Sequence, residues 1–232
     1  MNKHITIAAF LVAGTALANA ATTDYWWDAD TDASFGDKSH WVTEGVTVPD
    51  LGRDDVQLIL GNHPGALIVD DTYNINALIF NSLYVVDTYN FSFTKANSTI
   101  SANTINKWSS SKIGISLSAE AENVLKSAGE FVLFSSKNIF DGNNKINEMS
   151  LSSFSISVNS NTNVVLDTFV YSTLDAAREA LALQSTRDYA LVATSNKLSL
   201  VSLVPEPSAF GLLAGLGALA LVAARRRRGR KA

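Results

Sequence analysis

Val56-Gln57-Leu58-Ile59-Leu60, then Gly61-Asn62-His63-Pro64-Gly65, then Ala66-Leu67-Ile68-Val69 and Asp70-Asp71, is the stretch on which the fold turns. A short apolar run stops at a cluster of turn residues, restarts for four residues and stops again at a pair of carboxylates. Runs of this length bounded by Gly, Pro, Asn and Asp read as strands rather than helices. The next run, Ile75 to Phe80, carries Ile75, Ala77 and Ile79 on one face and Leu78 and Phe80 on the other, because side chains alternate along a strand.

Outward from there the same texture continues. Leu83 to Val86, Asn90 to Thr94, Thr99 to Ile105, Ile113 to Leu117, Phe131 to Ser135, Leu151 to Val158, Asn163 to Val170, Tyr189 to Ala193 and Leu198 to Leu203 are strand candidates. Starts about 8–15 residues apart suit an all-β sandwich or jelly roll, or a β-solenoid. Two short helices interrupt the strands. One covers Ser118 to Ser127. The other covers Ser172 to Gln184, where Ser172 and Asp175 have capping-box spacing and Leu174, Ala177 and Leu181 share a face. No clean repeat is visible, although Asp71-Thr72-Tyr73-Asn74 is partly echoed by Asp87-Thr88-Tyr89-Asn90. The expected fold is mainly β: a single irregular solenoid-like or sandwich passenger with one or two short helices.

Charge separates this body from its ends. Lys3 with Arg225, Arg226, Arg227, Arg228, Arg230 and Lys231 supplies 7 of the 18 basic residues. Between Ala21 and Val204 there are 11 Lys and Arg against 21 Asp and Glu, a net −10. An acidic body without a basic stripe argues against nucleic acid as a partner. The absence of cysteine excludes thiol catalysis and Cys-ligated metal, and leaves the core to apolar burial alone.

The ends read as targeting segments. Residues 1–20 have the parts of a secretory signal peptide: Lys3 and His4, an apolar stretch from Ile5 to Leu17, then Ala18-Asn19-Ala20. Small residues at Ala18 and Ala20 suit a signal peptidase, with cleavage expected after Ala20. At the other end Pro205-Glu206-Pro207 precedes an apolar run, and Arg225 to Arg228 closes it. A helix over residues 208–224 would be about 26 Å long, at the short end of what crosses a bilayer. Its large apolar side chains favour insertion by only about 2–4 kcal/mol, so the arginine block decides the topology by resisting translocation. The division is therefore a signal peptide at 1–20, an all-β passenger at 21–203 and a sorting segment at 204–231, with motif 205–207, span 208–224 and basic tail 225–231.

Pro205, Glu206 and Pro207 beside a short span and a terminal arginine cluster resemble the PEP-CTERM sorting domain over Val204 to Lys231. The resemblance implies an exported envelope or extracellular-matrix protein of a Gram-negative-type bacterium. It would pass through the inner membrane as an intermediate and be processed by an exosortase, a membrane-embedded thiol peptidase, on the way to the cell surface or medium. It also implies exopolysaccharide as a partner. Chain chemistry fits recognition at the motif: Pro207 has no N–H and Pro205 fixes its φ, so the tripeptide neither pairs into a sheet nor extends the helix backwards. More loosely, Tyr25-Trp26-Trp27 and Trp41, followed by ladder-like strands as far as Leu117, resemble the irregular β-helical passengers of surface proteins.

The body offers little chemistry. Once the signal is removed only His40 and His63 remain, and no serine lies in a nucleophile elbow. Asp54-Asp55 and Asp70-Asp71 are adjacent, so on strands each pair splits across two faces, which suits turn capping better than glycoside hydrolysis. Asp28-Ala29-Asp30-Thr31-Asp32 opens like a calcium loop but has Ala33 at the sixth position and Ser39 at the twelfth. That fails as an EF-hand and leaves an irregular calcium site or a solvated acidic loop. Trp26, Trp27 and Trp41 either stack on a sugar or cap a β core. No enzyme, cofactor or metal is expected. The favoured role is structural or surface interaction, and the alternative is a secreted carbohydrate-binding module.

Overall fold

The computed structural model describes residues 22–61, 65–80, 88–107, 111–139, 151–160, 166–184, 186–194 and 196–203. The expected signal peptide, the strand at Leu83 to Val86 and the segment 204–231 lie outside these residues.

The described body is mainly β. After β1 (Thr23–Trp27) and the two-residue β2 (Ala33–Ser34), and past a short hairpin, come β5 (Val56–Leu60), β6 (Leu67–Val69), β7 (Thr72–Phe80), β8 (Thr88–Phe93), β9 (Thr99–Lys107), β10 (Lys112–Leu117), β11 (Glu130–Ile139) and β12 (Phe154–Val158). Successive strands go to different sheets. Strands β1, β5, β7, β9 and β11 lie side by side and parallel in one sheet, while β2, β6, β8, β10 and β12 do so in the other. That is the path of a solenoid, whereas a sandwich is built from antiparallel strands. Its irregularity lies in the coil length. One turn takes 20 residues from Leu58 to Leu78, 27 from Ala77 to Thr104 and 34 from Ile100 to Phe134. A variable period explains why no repeat is visible. The Asp-Thr-Tyr-Asn echo falls at the starts of β7 and β8, two halves of one coil rather than equivalent strands.

Parallel register stacks like on like. Tyr25, Leu58, Leu78 and Ile105 form one inward column, all buried. From the facing sheet Phe91 and Phe93 meet Phe134 edge-on at centroid distances of 5.1 and 5.8 Å. Full burial of side chains of this size stabilises by about 1.5–3 kcal/mol each, so the columns supply the core in a chain without disulfides.

The long strands are bent. Ile75 and Leu78 both face the main core, as do Ala102 and Ile105, which strict two-residue alternation forbids. The side that faces inward switches at Asn76 and Asn103, which stack at this corner. Asn103 Nδ2 donates to Asn76 Oδ1 at 3.2 Å, and Asn76 Nδ2 donates to the Asp54 carbonyl at 2.6 Å. The expected facial pattern of this strand is thereby corrected: Ile75 joins Leu78 and Phe80 inside, while Ala77 and Ile79 stay on the other side.

Both ends of the long sheet reverse direction. At the start, β3 (Trp41–Thr43) runs antiparallel to β1, and β4 (Val46–Thr47) folds back along it. Their two-residue turn puts Glu44 and Gly45 at φ 46° and 81°, the positive pair a type I′ hairpin needs. At the far end, β15 (Lys197–Val201) lies antiparallel to β11, followed by β14 (Tyr189–Ala193) and β13 (Leu166–Tyr171).

Two helices cover the flanks. The first, α1 (Ala119–Ala128), is capped by the Ser118 hydroxyl, which accepts from the Ala121 amide, and ends at Gly129 in the left-handed region. The second, α2 (Leu174–Leu183), packs Ala177 and Leu181 against Ala190, Val192 and Val201. Its cap is Thr173, not the expected Ser172: Thr173 is extended and its hydroxyl accepts from the Ala176 amide at 3.3 Å.

Tyr189 ties β14 to α1 by donating to Glu122 Oε1 at 3.1 Å. Burial, and then this bond to a carboxylate, push its phenol well above the ordinary 10.0. Burial and the Asp167 carboxylate push Tyr171 up to about 12. Both groups hold their proton more tightly folded than unfolded, so the stability they contribute is complete below pH 10 and is lost as pH rises past it. Urea midpoints should therefore fall steeply from about pH 10 upward. The slope should flatten in Tyr171→Phe/Tyr189→Phe; an unchanged slope would count against the assignment.

Candidate functional site

Strand β15 carries the passenger into the segment of interest. It is an interior strand, hydrogen-bonded to β11 on one side and β14 on the other. Leu198, Leu200 and Val201 are fully buried. Glu130 Oε1 on β11 accepts from Lys197 Nζ at 2.6 Å and from Ser199 Oγ at 2.7 Å. One residue past the strand, Ser202 donates its hydroxyl to the Leu125 carbonyl at 2.7 Å and its amide to the Gly129 carbonyl at 3.2 Å. Leu203 is exposed, and Val204 and Pro205 follow in sequence. The fold thus closes three residues before Pro205.

A second feature lies on the outer face of the shorter sheet. Asn90, Gly114 and Ser155 align across β8, β10 and β12, and Ser92, Ser116 and Ser157 align beside them. These six residues line a shallow groove of ≈ 450 Å³. Adjacent strands hold the hydroxyls about 4.8 Å apart. At Gly114 a Cβ atom would come within 2.1 Å of Asn90 Oδ1, so glycine is what lets the Asn90 amide lie across the strand. Among the described residues no hydrogen bond engages the side chains of Asn90, Ser92, Ser116, Ser155 or Ser157. Nothing charged lines the groove. Its trace in the sequence is the alternation of serine with apolar residues in Phe91-Ser92-Phe93 and Ser155-Ile156-Ser157. Only the register reveals that these serines stack. A second groove, of ≈ 570 Å³, runs past Asn74, Ser101, Ser135, Lys137 and Asn196 beside the asparagine corner.

The tryptophans divide. Trp41 is fully buried and Trp27 nearly so, their rings 4.9 Å apart, with Phe35 5.3 Å from Trp41. Trp41 Nε1 donates to the Phe35 carbonyl at 2.9 Å. Both are core residues, and their inclusion in a glycan-contact platform is corrected by their burial. Trp26 lies half-buried beside Ile59 on the opposite side of β1, so the three do not form one surface.

The acidic pairs cap and pin turns. Asp55 takes a two-point contact from Arg53, at 2.9 and 2.6 Å. Asp70 accepts from Ser34 and Tyr73. Asp71 Oδ1 accepts from the Thr72 amide and from Asn97 Nδ2. Asp32 Oδ1 accepts from the Ala66 amide at 2.9 Å, clamping its loop to the next coil. Gly65 leaves no room there, since a Cβ would sit 2.2 Å from the Thr31 carbonyl oxygen. Among the described residues no group of three His, Cys, Asp or Glu side chains is disposed to hold a metal.

His40 is held by Nδ1 against the Asp28 carbonyl at 3.2 Å, with Nε2 3.8 Å from Asp37. The Ser39 hydroxyl bonds to Asp37 at 2.7 Å rather than to His40, and this bond, with the Ser39 amide, holds the Asp37 carboxyl below its ordinary range. In a hydrolytic relay the histidine stands between serine and carboxylate. Here the carboxylate stands between the other two.

A capped parallel solenoid whose last strand feeds a Pro-Glu-Pro segment, an apolar run and an arginine block is a β passenger with a C-terminal sorting tail. The PEP-CTERM protein-sorting motif matches residues 203–228, so the chain carries that motif at its C-terminal end. That motif is recognised by an exosortase, a membrane protein, and directs an exported protein toward the cell surface. No curated protein matches the chain, and no solved structure does. No helix of the described residues is long and apolar enough to cross a membrane; the expected span at 208–224 lies outside them.

Proposed function

We propose that the chain is an envelope or matrix protein with a non-catalytic passenger. It leaves the cytoplasm on the 1–20 signal, halts in the inner membrane at 208–224 and is released from that anchor at Pro205-Glu206-Pro207. The observation that carries this reading is the matched motif at residues 203–228, joined without a spacer to an interior strand of the folded body. The apolar content and arginine block of the tail support a transient anchor. The test is the intact mass of protein recovered from outside the cell. It should begin at Ala21 and lack Arg225 to Arg228. Recovery with those arginines attached overturns the reading.

A second reading, a carbohydrate-binding passenger, is favoured by the unpartnered hydroxyl and amide face on β8, β10 and β12 rather than by the tryptophans. Hydroxyls at strand spacing with no charge beside them suit a neutral, extended polysaccharide, and each buried polar contact left unmade would cost affinity. Ser116→Arg, which fills the middle of the groove, should lower binding on a neutral-glycan array by about tenfold or more, the loss of about 1.4 kcal/mol. Trp26→Ala should leave it unchanged. Equal binding by both variants removes this reading.

A further inference from the structure

Both ends of the described body leave from one edge. Strand β1 is parallel to β5, β7, β9 and β11, so Thr23 stands in the row where these strands begin. Strand β15 is antiparallel to β11, with Val201 beside Glu130, and so brings its C-terminal end back to the same row. Five strand steps separate β1 from β15 in the long sheet, about 24 Å at about 4.8 Å per step. The strands of the shorter sheet end on this side too, where Thr94 and Ser118 link to Val69 and Phe93. Exposed along the edge are Asp71, Lys95, Asn97 and Lys126.

The chain leaves this edge with little slack. Ser202 is anchored twice to the α1–β11 junction, and three residues carry the backbone from it to Pro205, at most about 11 Å when fully extended. A peptidase that closes on the motif must therefore come within that distance of the folded edge. The alternative is to peel β15 from between β11 and β14, which would strip Leu198, Leu200 and Val201 from the core. The charges on this edge are mixed and paired, Lys95 with Glu120 at 3.7 Å and Lys126 with Glu122 at 2.6 Å. A surface built to lie on anionic lipid would carry an unpaired basic cluster. The partner that fits is a protein.

The geometry points to this strand-start edge, centred on the α1–β11 junction, as the surface by which the folded passenger docks on the membrane-embedded sorting peptidase. The inference rests on the anchoring and processing proposed above. It adds a contact made by the body itself, so that the fold presents the motif at a fixed distance.

The absence of cysteine makes single-cysteine variants unambiguous reporters in the full chain. Asn97→Cys and Lys126→Cys sit on the edge, and Lys112→Cys sits at the start of β10 on the opposite one. Each carries a photo-crosslinker on its thiol in cells making the peptidase. Adducts to the peptidase from the first two and not the third are expected; equal adducts from all three, or adducts to lipid alone, overturn the docking surface. A second measurement inserts ten Gly/Ser residues between Leu203 and Val204. If docking fixes the motif's position, lengthening the tether from three to thirteen residues dilutes it about tenfold by the −3/2 power of length, and processing slows accordingly. Processing that is unchanged or faster overturns the proposal. If no membrane-held precursor accumulates with the unmodified sequence, the anchoring itself has failed, and that outcome is distinct from normal anchoring with no edge contact.

Discussion

Replacing Pro205 and Glu206 together by alanine should leave the full-length polypeptide in the inner membrane, with surface and medium levels reduced by about tenfold to a hundredfold. The magnitude follows from removing two side chains that a recognition site reads, at about 0.7–1.4 kcal/mol each, since each 1.4 kcal/mol is a factor of ten. Export itself should be untouched, because the signal proposed at residues 1–20 lies at the other end of the chain. Retention is expected because the arginines Arg225 to Arg228 still oppose passage of the tail. Membrane fractionation with intact-mass measurement reads both consequences at once. Normal delivery of a shortened product by the double variant would mean that the peptidase reads something other than these two side chains.

The second large effect lies in the core. Trp41→Ala should cost about 3–5 kcal/mol, because it removes a fully buried ring and leaves a cavity that its neighbours refill only in part. Trp41 packs on Trp27 and Phe35 and holds the Phe35 carbonyl. It also begins β3, the strand that reverses direction and covers β1. Against a total of roughly 5–15 kcal/mol for a domain, such a loss brings the passenger near unfolding at 37 °C. Chemical denaturation should show the midpoint falling with little change in slope. A variant as stable as the parent would overturn the core role of Trp41.

The two ends of the molecule were legible to different degrees for physical reasons. The sorting tail depends on composition in one dimension: an apolar run, a block of charge and two prolines act by length and polarity, and all are visible without a fold. Strand β5 was legible to the residue, because Val56 to Leu60 stands between polar turns. The capping hairpin was not. Its turn is Glu44-Gly45, and glutamate is not the residue that ordinarily signals a positive φ. The corner was equally hidden. Asn76 and Asn103 look like ordinary polar interruptions until register puts one above the other. Without that pairing, Ile75 is assigned to the wrong face. The serine face of the shorter sheet shares this property, since its members lie in separate strands and meet only through the coil.

The reversal of β3 and β15 has a consequence for whether such a molecule can stack end to end. A parallel coil propagates by offering the next copy an edge of the same polarity, which is how stacked β structures lengthen into fibrils. On the long sheet both outermost positions are instead held by strands that belong to caps, β4 and β13, and the terminal β4 is only two residues long. The passenger is thereby a counted object, with its coil number written into the chain and no open end on the long sheet from which a further coil could be templated.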